Sequence, residues 1–346
     1  MSSDVAPSPS KAAAASTVSG GDPPGGPSAG HRLLVRIATD RPPLLIFLIV
    51  VLIAVMAILE PDTFPRPANA SVVLLDTAQT GILACGMMVL MISGMFDLSI
   101  GGILGFSGIM AGLAVKNYGF SPIPAFLVGC GWGLFLGCIN GFLVTRFRIN
   151  ALIATLATAS VYRGGLQLVS GAGVTNIGNG FTIFGQTQIL GIYSPFWFMA
   201  VIVVLFAFLV GNTRYFRQAY YIGGNPRAAK LSGISVEWTV FSFFAIMGLL
   251  AGLAGALLAS RLNTAVVLAG TGVELKVITA VVLGGASLAG GAGTIHGAFL
   301  GVLLMALLQN AMIVAGISPF WQLIVVGIVL VTSVGLDQFG RSRGRR

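Results

Sequence analysis

Charge is scarce in this chain: 8% of its 346 residues are charged and only 10 are acidic, against 56% hydrophobic and 48 Gly. A soluble domain carries about 25% charged residues, so this composition excludes one and fits a polytopic membrane protein. Cysteine is scarcer still. Cys85, Cys130 and Cys138 all lie inside apolar runs, which supports neither a disulfide framework nor a paired-cysteine metal site and leaves them as small core hydrophobes. His296 has no second histidine or carboxylate at metal-ligand spacing, which favours an interhelical hydrogen bond. Catalytic patterns are missing as well: there is no His-x-x-x-His, no nucleophile elbow and no Arg ladder. The Gly-rich stretch Leu283-Gly284-Gly285-Ala286-Ser287-Leu288-Ala289-Gly290-Gly291-Ala292-Gly293-Thr294 is followed by no Gly-Lys-Ser/Thr, so the chain has no phosphate loop with which to hydrolyse ATP. No enzyme activity, metal or cofactor is expected.

What the chain does have is apolar length. Residues 1–40, rich in Ala, Ser, Pro and Gly, show no apolar periodicity and read as a disordered cytoplasmic tail. Ala68-Asn69-Ala70 has the form of a signal-peptidase site, but Glu60, Asp62 and Arg66 separate it from the apolar run, and the leading polar region is too long. A span needs about 20 mostly apolar residues, and about ten such segments fit an all-α bundle over 41–338. They lie at 43–60, 73–94, 98–115, 123–144, 151–169, 195–213, 238–260, 272–286, 293–316 and 319–336, ahead of a basic cytoplasmic tail at 339–346.

The net charge of +9 is explained by where Lys and Arg fall. With the N-terminus inside, the inner segments hold Lys11, Arg32, Arg36, Arg41, Arg146, Arg148, Arg214, Arg217, Arg227, Lys230 and the C-terminal arginines, and the outer ones only Arg66, Lys116, Arg261 and Lys276. Both termini are thus expected in the cytoplasm, and nucleic acid is not an expected partner. Ser121-Pro122, Ser194-Pro195 and Ser318-Pro319 each place a capping serine before a proline at the first helical position.

Gly129, Gly133, Gly137 and Gly141 recur every four residues, as do Gly101 with Gly105, Gly108 with Gly112, Gly248 with Gly252 and Gly297 with Gly301. Such spacing gives smooth faces for close packing, and also for sliding during transport. Leu98-Ser99-Ile100-Gly101-Gly102 and Leu288-Ala289-Gly290-Gly291 each stand between two apolar runs and face the same way by the span count, an echo consistent with a parallel duplication of the core helices.

Ionisable groups inside a membrane are the first functional candidates. Asp97, at a break between two runs, fits either a cap for the following helix or a group facing an aqueous path. Arg163 fits pairing with a carboxylate, contact with a polar solute, or snorkelling outward. Asp76, Glu274 and Lys276 read as solvated anchors at outer helix ends. A further feature is a basic, Gly- and Pro-punctuated island between long apolar runs, Gly223-Gly224-Asn225-Pro226-Arg227-Ala228-Ala229-Lys230-Leu231-Ser232-Gly233-Ile234-Ser235, which has the form of a docking helix: Asn225-Pro226 start it, Ala228 and Ala229 give a smooth face, and Arg227 and Lys230 add charge.

Together these motifs resemble a known family. Gly94 to Gly102 resembles a G-x-D-L-S-x-G segment; Asn140-Gly141, Thr155-Leu156-Ala157-Thr158 and Arg163-Gly164 resemble its central segment; the island, Ala259-Ser260-Arg261-Leu262-Asn263 and the Gly-rich stretch resemble the later ones. The chain is similar over approximately 44–337 to permease subunits of bacterial monosaccharide importers of the ATP-binding-cassette class, ribose type, within the ribose/branched-chain amino-acid permease superfamily. The resemblance implies an inner-membrane permease that pairs with a second copy or a paralogue, sits beneath a periplasmic sugar-binding protein, and is driven by cytoplasmic ATPase subunits. Residues Gly223 to Ser235 would then contact the ATPase. A sugar pathway of small and polar groups is expected to involve Asp97, Ser99, Asn140, Thr155, Thr158, Arg163 and Asn263. A branched-chain amino-acid permease and an ion-coupled secondary transporter are the competing readings.

Overall fold

The computed structural model describes residues 41–178 and 180–344, with side chains described for 42–178 and 180–335; the expected tail 1–40 lies outside the described residues. A helix stands in each of the ten expected segments: α1 (Arg41–Leu59), α2 (Pro67–Ile92), α3 (Ile100–Lys116), α4 (Pro122–Thr145), α5 (Ala151–Ser170), α7 (Ser194–Asn212), α10 (Val236–Leu262), α11 (Val273–Leu283), α12 (Ile295–Val314) and α13 (Pro319–Gly344). Of these, α1, α2, α4, α7, α10 and α12 are long and apolar enough to cross a membrane, and the protein is an all-α polytopic membrane protein. The last helix runs on to Gly344, through most of the segment expected as a tail, whose final two residues lie outside the described ones.

Short elements fill the connections: β1 (Val174–Thr175), α6 (Ile183–Gln186), β2 (Gln188–Ile189), β3 (Ile192–Tyr193), α8 (Arg214–Gly224), α9 (Pro226–Leu231) and β4 (Thr264–Ala265). β1 pairs antiparallel with β4, Val174 opposite Ala265, and β2 with β3, Gln188 opposite Tyr193.

Helices α2 and α10 are the buried axis of the bundle. Every residue of α2 from Ile82 to Ile92 is buried, and α10 packs on α2, α3 and α4. The glycine ladders explain how α10 and α4 approach. Cβ atoms built on Gly133 and Gly137 would fall 2.5 Å from the Gly252 Cα and 2.8 Å from the Gly248 Cα, and those on Gly248 and Gly252 would strike α4 in return. No side chain fits between the two backbones, so the seam requires glycine on both sides. At the periphery α1 buries Ile49 and Met56 against Ala306, Leu307 and Ala311 of α12. Asn69 of α2 and Asn310 of α12 exchange amide hydrogen bonds of 3.0 and 2.7 Å, fixing the register of those helices.

Of the three expected serine caps, one forms through its side chain. The Phe320 N–H donates to the Ser318 hydroxyl at 3.3 Å. Ser121 makes no side-chain cap, and the Ser194 hydroxyl is committed to the Phe184 carbonyl at 2.7 Å, so proline alone opens those two helices. Two other expectations are corrected. Lys276 is not a solvated anchor, because its ammonium is largely buried and pairs with Asp76 at 2.7 Å. His296 is exposed at the start of α12 and makes no hydrogen bond among the described residues.

Candidate functional site

Residues 93–99 connect α2 to α3 and hold the buried carboxylate of Asp97. A charge removed from water must be met by donors or it destabilises the fold. Here Oδ1 accepts from the Ser99 N–H at 2.8 Å and its hydroxyl at 2.6 Å, while Oδ2 accepts from Asn140 Nδ2 at 3.2 Å. The second hydrogen on Asn140 Nδ2 goes to the Ser99 hydroxyl at 2.7 Å. The Tyr162 hydroxyl shares its proton between Asn140 Oδ1 at 2.9 Å and the Leu136 carbonyl at 3.0 Å. Thr155 adds a second tie, accepting from the Leu98 N–H at 3.0 Å and donating to the Ala151 carbonyl at 2.8 Å, while Thr158 donates to the Thr155 carbonyl at 3.2 Å.

Five of the seven expected pathway residues, Asp97, Ser99, Asn140, Thr155 and Thr158, therefore come together, in a closed network joining the 93–99 connection to α4 and α5. All five are buried, and four of them have no surface open to solvent in this conformation. Asp97 caps the turn ahead of α3 at the Ser99 N–H; it does not reach the first helical N–H groups. Arg163 stands apart from this network, and its guanidinium donates to the carbonyls of Ala269 at 2.7 Å and Val267 at 3.4 Å, holding the chain between β4 and α11. Asn263 also stands apart. It ends α10 in a left-handed conformation (φ 50), accepts from the Gly178 N–H at 3.0 Å through its side chain and from the Ile177 N–H at 3.1 Å through its carbonyl.

The basic island folds as parts of two helices. Thr213 caps α8, which buries Phe216, Ala219 and Ile222 on one face. Asn225 interrupts the helix and restarts it: its Oδ1 accepts from the N–H groups of Arg227 and Ala228, both at 3.1 Å, with Pro226 at the first position of α9. Gly224, Asn225, Pro226, Arg227, Ala228, Lys230, Ser232 and Gly233 are exposed. Ala229 is buried against the bundle, so the smooth face expected of Ala228 and Ala229 together is divided: Ala228 faces out and Ala229 in. Lys230 pairs with Glu237 at 2.8 Å, and Leu231 is 90% exposed. Tyr220, Tyr221, Gly224, Asn225, Ala228 and Ser232 border a groove of ≈ 550 Å³ beside α9.

Gly223 is where this module meets the helices. A Cβ there would overlap the Ile92 carbonyl oxygen at the end of α2 and stand 2.5 Å from the Gly291 nitrogen. Gly290 and Gly291 have φ of 84 and 77, a left-handed conformation that suits glycine. The Gly291 N–H donates to the Ile92 carbonyl at 2.8 Å, and a Cβ on Gly290 would fall 3.0 Å from the Cα atoms of both Gly94 and Gly223. Tyr220 closes the joint by donating to the Gly293 carbonyl at 2.8 Å; burial pushes its phenol up, outweighing the nearby Arg217. Gly94, four residues ahead of the first of the two echoing segments, thus meets the second, at Gly290, and Gly223 of α8 at one point.

Sequence reasoning missed Tyr162 and Tyr220. Tyr162 follows Thr155 and Thr158 by seven and four positions, a one-face helical spacing that marks it as a third member of that stripe. Tyr220 lies four residues after Phe216 on the buried side of α8.

Comparison with known proteins agrees with this architecture. The family described as branched-chain amino acid transport system / permease component matches residues 69–334. The ribose import permease protein RbsC of Bacillus subtilis (strain 168) is 41% identical over 83% of this chain and 90% of its own length. The L-arabinose ABC transporter permease protein AraH of Azospirillum brasilense is 36% identical over 87% of this chain and 88% of its own, and RbsC of Escherichia coli (strain K12) is 34% identical over 84% and 91%. No solved structure matches significantly.

Proposed function

We propose that this chain, which belongs to the branched-chain amino acid transport system / permease component family, is the membrane subunit of an ATP-binding-cassette importer that admits a monosaccharide, a pentose or related sugar. In this reading the bundle sits in the bacterial inner membrane, six of its helices spanning it and the shorter ones packed among them, with both termini in the cytoplasm, as the distribution of Lys and Arg favours. The chain works as a pair with a second copy or a paralogue, receives sugar from a periplasmic binding protein, and takes its energy from a separate cytoplasmic ATPase.

The observation that carries the coupling is the glycine joint. The ATPase grips the exposed side of α9, at Arg227, Ala228 and Leu231, and the groove beside it. Because Gly223 rests directly on the Ile92 carbonyl and on Gly290 and Gly291, displacement of α8 and α9 passes to both Gly-rich connections with no flexible side chain between. Rigid movement of the helices those connections join then switches access from one membrane face to the other. The Asp97 network serves as the framework that keeps the 93–99 connection tied to α4 and α5 as it moves. A neutral sugar needs no fixed counter-charge, so a path of small and polar groups suffices.

The test is reconstitution in proteoliposomes with the ATPase and the binding protein. Labelled ribose or L-arabinose accumulates only with ATP, and Leu231→Asp abolishes both ATPase association and uptake while leaving membrane insertion unchanged. Leucine uptake in place of pentose uptake would move the chain to the amino-acid branch. Sugar accumulation by the permease alone under an ion gradient would overturn the reading in favour of a secondary transporter.

A further inference from the structure

We propose a binding site for an anionic phospholipid at the groove where the end of α4 meets the start of α10. It is a surface of ≈ 550 Å³ lined by Phe142, Thr145, Arg146, Arg148, Trp238 and Phe241 together with Glu237. Two cations and no free anion face it. Arg146 ends α4, and Arg148 is held with φ 55 in the turn that follows, closed by the Ile149 N–H on the Leu143 carbonyl at 3.4 Å. Both arginines are exposed and neither guanidinium makes a hydrogen bond among the described residues; the one acid, Glu237, is paired with Lys230 at 2.8 Å and only its longer-range attraction reaches Arg148, which leaves the groove net positive. Two guanidinium forks on a short turn suit the bidentate recognition of a phosphate group.

The surroundings select a lipid phosphate over a soluble one. Phe142 and Phe147 pack edge to face at 5.4 Å, and Trp238 stacks on Phe241 at 5.4 Å and 20°. Phe142, Phe147 and Trp238 are 48%, 62% and 64% exposed, the placement of aromatic side chains at a membrane–water boundary. Along α4 the exposed apolar stripe continues away from the arginines through Phe135, Leu134 and Leu127, a track on which acyl chains lie while the headgroup meets Arg146 and Arg148. This inference depends on the proposed function only for the leaflet it assigns, the cytoplasmic one, and not on the solute carried.

Native mass spectrometry of the full-length chain, released from nanodiscs of either phosphatidylglycerol or phosphatidylcholine, tests it. The wild type is expected to retain phosphatidylglycerol about tenfold better than Arg146→Gln/Arg148→Gln, with phosphatidylcholine retention equal in the two. Because both arginines are exposed, the variant folds, and an unchanged melting temperature checks this. Equal phosphatidylglycerol retention by wild type and variant overturns the site, as does an equal loss of both lipids. A variant that keeps the lipid but loses the ATPase or a second copy reassigns the groove to a protein partner. Failure of sugar uptake with lipid binding intact would count against the proposed function alone.

Discussion

The two ends of α2 are built from different chemistry. At its Ile92 end, contact is backbone on backbone: Gly94, Gly223, Gly290 and Gly291 meet with no room for a Cβ at Gly223, beside a fully buried carboxylate with every oxygen occupied. At its Pro67 end, contact is made by side chains: Asp76 with Lys276, Asn69 with Asn310, and nearby Gln186 Nε2 on the Arg261 carbonyl at 2.8 Å. Backbone contacts transmit displacement faithfully but accept no added atoms. Side-chain contacts accept replacement and give way gradually.

Substitutions at four positions break or sharpen that contrast. The largest effect is expected from Asp97→Leu, which strands the Ser99 N–H and one Asn140 N–H in the interior and costs about 3 kcal/mol, seen as a lowered melting temperature in detergent. Asp97→Asn retains an acceptor for Ser99 and costs about 1 kcal/mol; equal losses from the two would mean that the negative charge itself is required. Next comes Gly223→Val, for which relieving the overlap with Ile92 costs about 1–3 kcal/mol and abolishes sugar uptake in proteoliposomes. Its neighbour Gly224, with nothing within 4 Å of a built Cβ, tolerates Ala with the melting temperature unchanged. The smallest effect is Lys276→Gln, about 1 kcal/mol by chemical denaturation, since Asp76 is 40% exposed and keeps its water. A Lys276 effect larger than that of Asp97 would erase the distinction between the ends.

Much of this was legible in the sequence because a membrane forces it to be. A span must be long and apolar, and α7, expected at 195–213, is Ser194–Asn212. Proline marks the starts of α4 and α13 for the same local reason. The polar cluster was legible in its membership, since buried Asp, Asn and Thr stand out in an apolar chain. What stayed hidden depends on tertiary contact. Nothing local says that Arg163 turns to carbonyls more than a hundred positions away, that Asn263 clamps residues 177 and 178, or that Ala229 faces inward. Helix α9 has six residues, too few for periodicity to declare a face. Gly223 and Gly224 are indistinguishable as letters, and only the fold separates the one that is pinned from the one that is open.

The meshed glycines of α4 and α10 have a mechanical meaning. With carbonyls of each helix seated against the α-carbons of the other, from Gly129 to Gly141 on one side and from Phe241 to Gly252 on the other, the two act as a single strut instead of two rods. Shear along that line would have to lift one backbone out of the other's grooves, so flexing is left to the connections at its ends.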